Sequence, residues 1–333
     1  MQILKREASR CSVSELFKDN DADISIIRTK KVCIVGYGSQ GRAQALNLLE
    51  SGVNIKVALR SSSKVKSRAV EEGISVDDIE PAIEWADVIV PLIPDASMPA
   101  LFNSKEITSV KSSKTFVFAH GYAVHYETIK ISEMHRVVLV APSAPGKALR
   151  NEFKVGSGVP GLFSSERDDR ELALSYCKAI GLTRRGVVET TFKEEVETDL
   201  FGEQVVLTGG IPKLIQTAYD VMVDAGYDSK VSWLVACYEV KNIVDLFFMS
   251  TFDSMYSSIS DTAEYGSYIS GDKIFNDAVK NQFKEILESI QSGKFKDRMS
   301  SLSYNQDLES FRHKYKNLGV DKAGASIIEK LKS

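Results

Sequence analysis

From residue 31 onward, short apolar runs rich in β-branched residues recur at 32–35, 55–59, 88–92, 115–118 and 137–140. Each run is nearly continuous in apolar side chains, the pattern of a strand covered on both faces. Between them lie amphipathic stretches such as 40–50 and 64–72, with the spacing of helices. Strand and helix in alternation predict βαβ units and a doubly wound parallel sheet. After about Phe192 the strand-like runs stop. Apolar residues then recur every three or four positions through 205–225, 232–248, 272–292 and 307–316, which predicts helices alone. The expected organisation is a Rossmann-type α/β domain over residues 1–191 and an all-α domain over 192–333. A short connector near 181–191 would join them.

Composition narrows the classes without changing this picture. A chain of 333 residues that is 43% hydrophobic and 26% charged can bury two cores. The net charge of −3 and the scattered basic residues offer no footprint for nucleic acid. Cys11, Cys33, Cys177 and Cys237 lie far apart without metal-ligand spacing and read as reduced thiols, mostly core. The first 20 residues carry charges throughout and lack the apolar stretch of a secretory signal. No run approaches the ~18 apolar residues of a membrane span. A cytoplasmic protein with no membrane partner is expected.

Two segments carry candidate chemistry. Gly36-Tyr37-Gly38-Ser39-Gln40-Gly41 follows the predicted strand 32–35 and opens the helix after it. In that context the glycines of a GxGxxG pattern serve the tight turn, the approach of a pyrophosphate to the backbone, and close helix packing. The helix N-terminus then receives the anion. At the end of the second strand stands Arg60-Ser61-Ser62-Ser63-Lys64, with cations and hydroxyls where an acid would bond a bare ribose. This predicts NADPH over NADH. The second segment, Asp199 and Glu203, sets two carboxylates four apart on one helix face. Such a pair can grip Mg²⁺ through oxygen, or form a solvated acidic face; spacing alone leaves both open.

The stretch from Glu189 to Gln204 (ETTFKEEVETDLFGEQ) closely resembles a signature of the ketol-acid reductoisomerases. So do the glycine loop, Pro94-Asp95, Ala119-His120-Gly121-Tyr122 and Thr262-Ala263-Glu264-Tyr265-Gly266. The resemblance runs in register from about Asp21 to the last helices, at the length of the family's short form. It implies a knotted, 6-phosphogluconate-dehydrogenase-like helical domain that makes a homodimer and completes the active site from two subunits. It also implies two Mg²⁺ ions that polarise an acetohydroxy acid during an alkyl migration, followed by reduction with NADPH. Carried onto matching positions, Asp199 would bridge the metals and Glu203 would hold one. Glu239 would come from the partner, Ser260 would bond the substrate carboxylate, and His120 would assist proton traffic beside the nicotinamide. The cofactor contacts would be the six residues of the glycine loop, Arg60, Ser61, Ser63, Lys64, Pro94, Asp95, His120 and Gly146. Blander readings stand beside these: a satisfied loop histidine for His120, an N-cap for Ser260, and a pair with Lys241 for Glu239.

Several positions depart from the family pattern. Pro142-Ser143-Ala144-Pro145-Gly146 carries serine where the family has lysine, and Val235 replaces a glutamate four residues before Glu239. Tyr238 stands for a histidine and Ala236 for a cysteine. Losing a carboxylate weakens the hold on a second cation, which alkyl migration needs more than hydride transfer does. The leading expectation is therefore an NADPH-dependent reductase with one Mg²⁺, acting on a small keto acid or imine without the migration. The alternatives are a genuine ketol-acid reductoisomerase in which Lys147 supplies the missing cation, and a catalytically silent nucleotide-binding protein.

Overall fold

The computed structural model describes residues 15–165, 169–301 and 303–331. The chain divides into two compact units, one ending at Val196 and one beginning at Glu197.

The first unit is built on one sheet of nine strands. They are β1 (Leu16–Phe17), β2 (Lys31–Val35), β3 (Asn54–Ala58), β4 (Val76–Asp77), β5 (Val88–Pro91), β6 (Thr115–Phe118), β7 (Arg136–Pro142), β8 (Gly161–Ser165) and β9 (Val187–Glu189). Their order is β1-β9-β8-β7-β6-β5-β2-β3-β4. β2 to β7 pair in parallel, whereas β8 runs antiparallel to β7 and β1 antiparallel to β9. The five predicted strands are present with ends shifted by a residue or two. The other four lack a long apolar run: β1 and β4 have two residues each, β8 ends in two serines, and β9 lies inside the expected connector.

Helices α1 (Ile24–Arg28), α2 (Ser39–Glu50), α3 (Lys66–Glu71), α4 (Ile79–Trp85), α5 (Met98–Phe102), α6 (Lys105–Thr108), α7 (Tyr122–His125), α8 (Gly146–Lys154) and α9 (Arg170–Ile180) accompany the sheet. The pleat of β2 shows why its run is continuous in apolar residues. Val32 and Ile34 join one core with Leu48, Tyr176 and Ile180, while Cys33 and Val35 join the other with Ile89 and Phe116. Burial pushes the Cys33 thiol up to about 12 and raises Cys177 further, so both remain thiols, and Cys237 is half-buried. Cys11 lies outside the described residues.

Helix α10 (Phe192–Gly202) crosses the boundary. A π-helical turn, Glu203–Leu207, separates it from α11 (Gly210–Asp224). A second, Leu234–Tyr238, separates α12 (Ser229–Trp233) from α13 (Glu239–Met249) and so interrupts the helix expected over 232–248. Next come α14 (Phe252–Tyr256) and α15 (Asp261–Ile274). The helix expected to start at residue 272 starts instead with α16 (Asp277–Gln291), because the Asn276 side chain accepts from the Ala278 and Val279 N–H groups and caps it. The chain continues as α17 (Lys294–Met299), α18 (Tyr304–Lys314) and α19 (Gly319–Leu331). A small core gathers Tyr219, Trp233, Val320 and Ala323. Among the described residues, no helix is long and apolar enough to cross a membrane.

Candidate active site

The glycine loop leaves the end of β2 with Gly36 at φ +106°, a conformation that favours glycine, and a Cβ there would meet the Leu92 carbonyl oxygen at 2.5 Å. At Gly41 an added Cβ would meet the Gly36 carbonyl at 2.4 Å. Gly38 differs: a Cβ there would meet nothing within 4 Å, so its backbone stands open at the start of α2, where free N–H groups favour a phosphate. Behind the loop, Gly146 comes so close that a Cβ would lie 2.2 Å from the Ser39 carbonyl oxygen, and Gln40 Nε2 donates to Ala144 O at 2.9 Å. The turn carrying Ser143 is thereby fastened to the glycine loop.

A cavity of about 580 Å³, a size suited to a small-molecule ligand, opens in front of the loop. Of the residues expected to touch cofactor, Gly36, Tyr37, Gly38, Arg60, Ser63 and Pro94 line it. Ser62 lines it as well. Ser39, Gln40, Gly41, Ser61, Lys64, Asp95, His120 and Gly146 lie off this wall. Ser61 Oγ donates instead to Asp78 Oδ1 at 3.3 Å. A group absent from the sequence reading ties the wall together: Glu72 accepts from the Tyr37 hydroxyl at 2.7 Å and from two Arg42 nitrogens at 2.6 and 2.9 Å, with Arg68 at 3.4 Å. The Arg42 guanidinium chiefly holds the Glu72 carboxyl down at about 2, while burial and Glu72 raise the Tyr37 phenol. No motif marks Glu72, one of two adjacent glutamates.

His120 follows β6, whose end meets the first turns of α10. Its Nδ1 lies 2.9 Å from Glu195 Oε1, and the Gly121 N–H donates to Glu195 Oε2 at 2.8 Å. Glu195 is 2% exposed, so its carboxylate is spent on this corner. Only glycine fits at 121, since a Cβ would come within 3.0 Å of Val196, Glu195 and Phe192. His120 is therefore a held histidine. Glu195 itself received no role from the sequence, although it stands one turn before Asp199 in the family-like stretch.

Asp199 follows on α10, exposed at the surface of the chain, and Glu203 opens the π turn, also exposed. Glu239 begins α13, exposed; Lys241 pairs with Asp245. Ser260 caps α15, its hydroxyl accepting from the Ala263 N–H at 3.3 Å. Ser143 is exposed, its N–H bonded to Pro160 O at 3.0 Å, and Lys147 is exposed on the first turn of α8. Val235 and Tyr238 are exposed in the π turn before α13.

Residues 26–186 match the family of acetohydroxy acid isomeroreductase NADPH-binding domains, and residues 192–332 match the ketol-acid reductoisomerase C-terminal domain. The ketol-acid reductoisomerase (NADP(+)) of Rhodococcus opacus is 43% identical over 304 residues, 90% of either chain. That of Clostridioides difficile is 44% identical over 287 residues, 85% of this chain and 87% of its own. An NADH-preferring ketol-acid reductoisomerase from an uncultured archaean superposes with a TM-score of 0.90 at 35% identity, covering 95% of this chain and 98% of that one. Relatives at this distance are named for the full reaction. They lend no support to the expectation of a reductase without migration and fit the first alternative better. The chain belongs to the ketol-acid reductoisomerase family and is an NADP-dependent oxidoreductase.

Proposed function

We propose that this protein is a working ketol-acid reductoisomerase, which rearranges an acetohydroxy acid and reduces the product with NADPH. The observation that carries this reading is its similarity, at 43% identity over 90% of the chain, to relatives of that name. The donors suit a hard cation: α10 supplies carboxylates one turn apart at Asp199 and Glu203, and oxygen is what Mg²⁺ prefers. Asp199 and Glu203 would hold Mg²⁺ together with Glu239 of the partner subunit. When bound, Mg²⁺ polarises the substrate's carbonyl and hydroxyl oxygens. Glu195 fixes the His120 ring through Nδ1, so that proton exchange with a substrate runs through Nε2. Ser260 would give its hydroxyl to the substrate carboxylate. Lys64, Asp95 and Ser61, outside the cavity wall, would reach the cofactor by side-chain movement.

A homodimer belongs to the same proposal. Leu214, Val221, Leu234, Ile269, Phe275 and Phe311 are all exposed on the second unit, more apolar surface than an isolated helical unit ordinarily leaves in water.

A second reading, reduction without migration, rests on Ser143 and Val235. The two are separated by supplying acetolactate or its already rearranged 2-keto acid, each with NADPH and Mg²⁺. Oxidation of NADPH with both substrates, at comparable rates and with the dihydroxy acid as product, is expected. Turnover of the rearranged acid alone would overturn the proposal in favour of the second reading.

A further inference from the structure

The cavity wall extends beyond what a pyrophosphate and a 2′-phosphate occupy. Gly36 and Gly38 provide for the first, and Arg60, Ser62 and Ser63 for the second. The ribose that bears the 2′-phosphate also bears the adenine, so the base must lie against the rest of the wall. There Val65, Ile79 and Leu101 present apolar surface suited to the faces of a ring, and two polar residues, Ser104 and Glu106, join them. The Ser104 hydroxyl is buried and closes no hydrogen bond of full geometry. It nevertheless lies close enough to hold the Glu106 carboxyl below its ordinary range, aided by the Glu106 backbone N–H. Glu106 is thus an ionised acceptor at neutral pH, beside a hydroxyl with a donor to give.

We propose that Ser104 and Glu106 read the edge of the adenine base, Glu106 accepting from the exocyclic 6-amino group and Ser104 donating to a ring nitrogen. The inference rests on the assignment of this cavity to NADPH. It makes the site selective for a purine with an amino group at position 6. A 6-keto purine turns an acceptor oxygen toward the carboxylate, and a site built around a hydrogen bond rejects an analogue that cannot form it.

The test compares NADPH with its reduced hypoxanthine analogue, titrated into the protein by nicotinamide fluorescence. In the unaltered protein the analogue binds about tenfold more weakly or worse, the loss expected of a charge-assisted bond replaced by repulsion. In Glu106→Gln, whose amide can donate to the keto oxygen, the two cofactors bind within about twofold of each other. Ser104→Ala weakens NADPH several-fold and leaves the selectivity. Equal binding of both cofactors by the unaltered protein, a comparison that needs no variant, overturns the inference, as does a preference unchanged in Glu106→Gln. Failure of NADPH itself to bind would overturn the cavity assignment as well, whereas binding without selectivity overturns this inference alone.

Discussion

Glu195 shows how one carboxylate serves chemistry it need not touch. Its two oxygens are divided between the His120 ring and the Gly121 backbone, so replacing it with glutamine weakens the charge-assisted hold on the ring without emptying the space. Glu195→Gln is expected to lower kcat about a hundredfold, the scale on which a displaced general acid or base acts, and to leave the KM for NADPH unchanged. Steady-state kinetics with each substrate varied in turn check both halves. Arg60, on the cavity wall, is the cation best placed for a 2′-phosphate. Arg60→Ala is expected to raise the KM for NADPH roughly tenfold and to leave that for NADH nearly unchanged, as removal of one charge-assisted contact does. A parallel loss with both cofactors would contradict that role.

At the scale of elements, the fold hangs on a few close approaches. β6 ends against α10 at Gly121, where Phe192, Val196 and Glu195 leave no room for a methyl group. Gly121→Ala is expected to cost about 1–3 kcal/mol, the range for overpacking, read as a lower urea midpoint with an unaltered slope. Such contacts explain what could be seen in the sequence. The parallel strands were legible because both faces of each are buried, as the division of Val32 and Ile34 from Cys33 and Val35 records. β8 and β9 were not, because Ser164, Ser165 and the brevity of Val187–Glu189 hide them from any reading of periodicity. The glycine loop was legible because each glycine answers a local steric demand. Glu72 and Glu195 were not: their partners, Arg42 and Tyr37 for one and His120 for the other, lie 30 to 75 residues away in sequence. Spacing cannot announce a contact that only the fold creates.

For the molecule as a whole, stability and assembly follow from the same groups. Glu72 is held at about 2, below its ordinary value of 4.5, so the folded state gains from its ionisation at every pH above the ordinary value. That gain fades as pH falls below about 4.5 and is gone once pH passes through about 2. The urea midpoint of the unaltered protein is therefore expected to decline over that window more steeply than that of Glu72→Gln, which lacks the titrating group. Sedimentation equilibrium addresses assembly. The exposed apolar side chains of the helical unit predict a dimer mass at micromolar concentration, and Phe275→Asp, which sets a charge among them, is expected to shift the population toward monomer.

The two π turns leave a different mark on how this protein can change. A π turn accommodates one residue more than the α-helix around it needs, and Glu203 and Val235 both lie in such turns. Losing one residue from 203–207 would let regular winding resume through the gap. Everything after it would rotate by about 100° relative to Asp199. Sequence length at these two places thus sets the angular phase between the acidic face of α10 and the rest of its unit, and a shortened relative would present a different set of side chains to the same carboxylate.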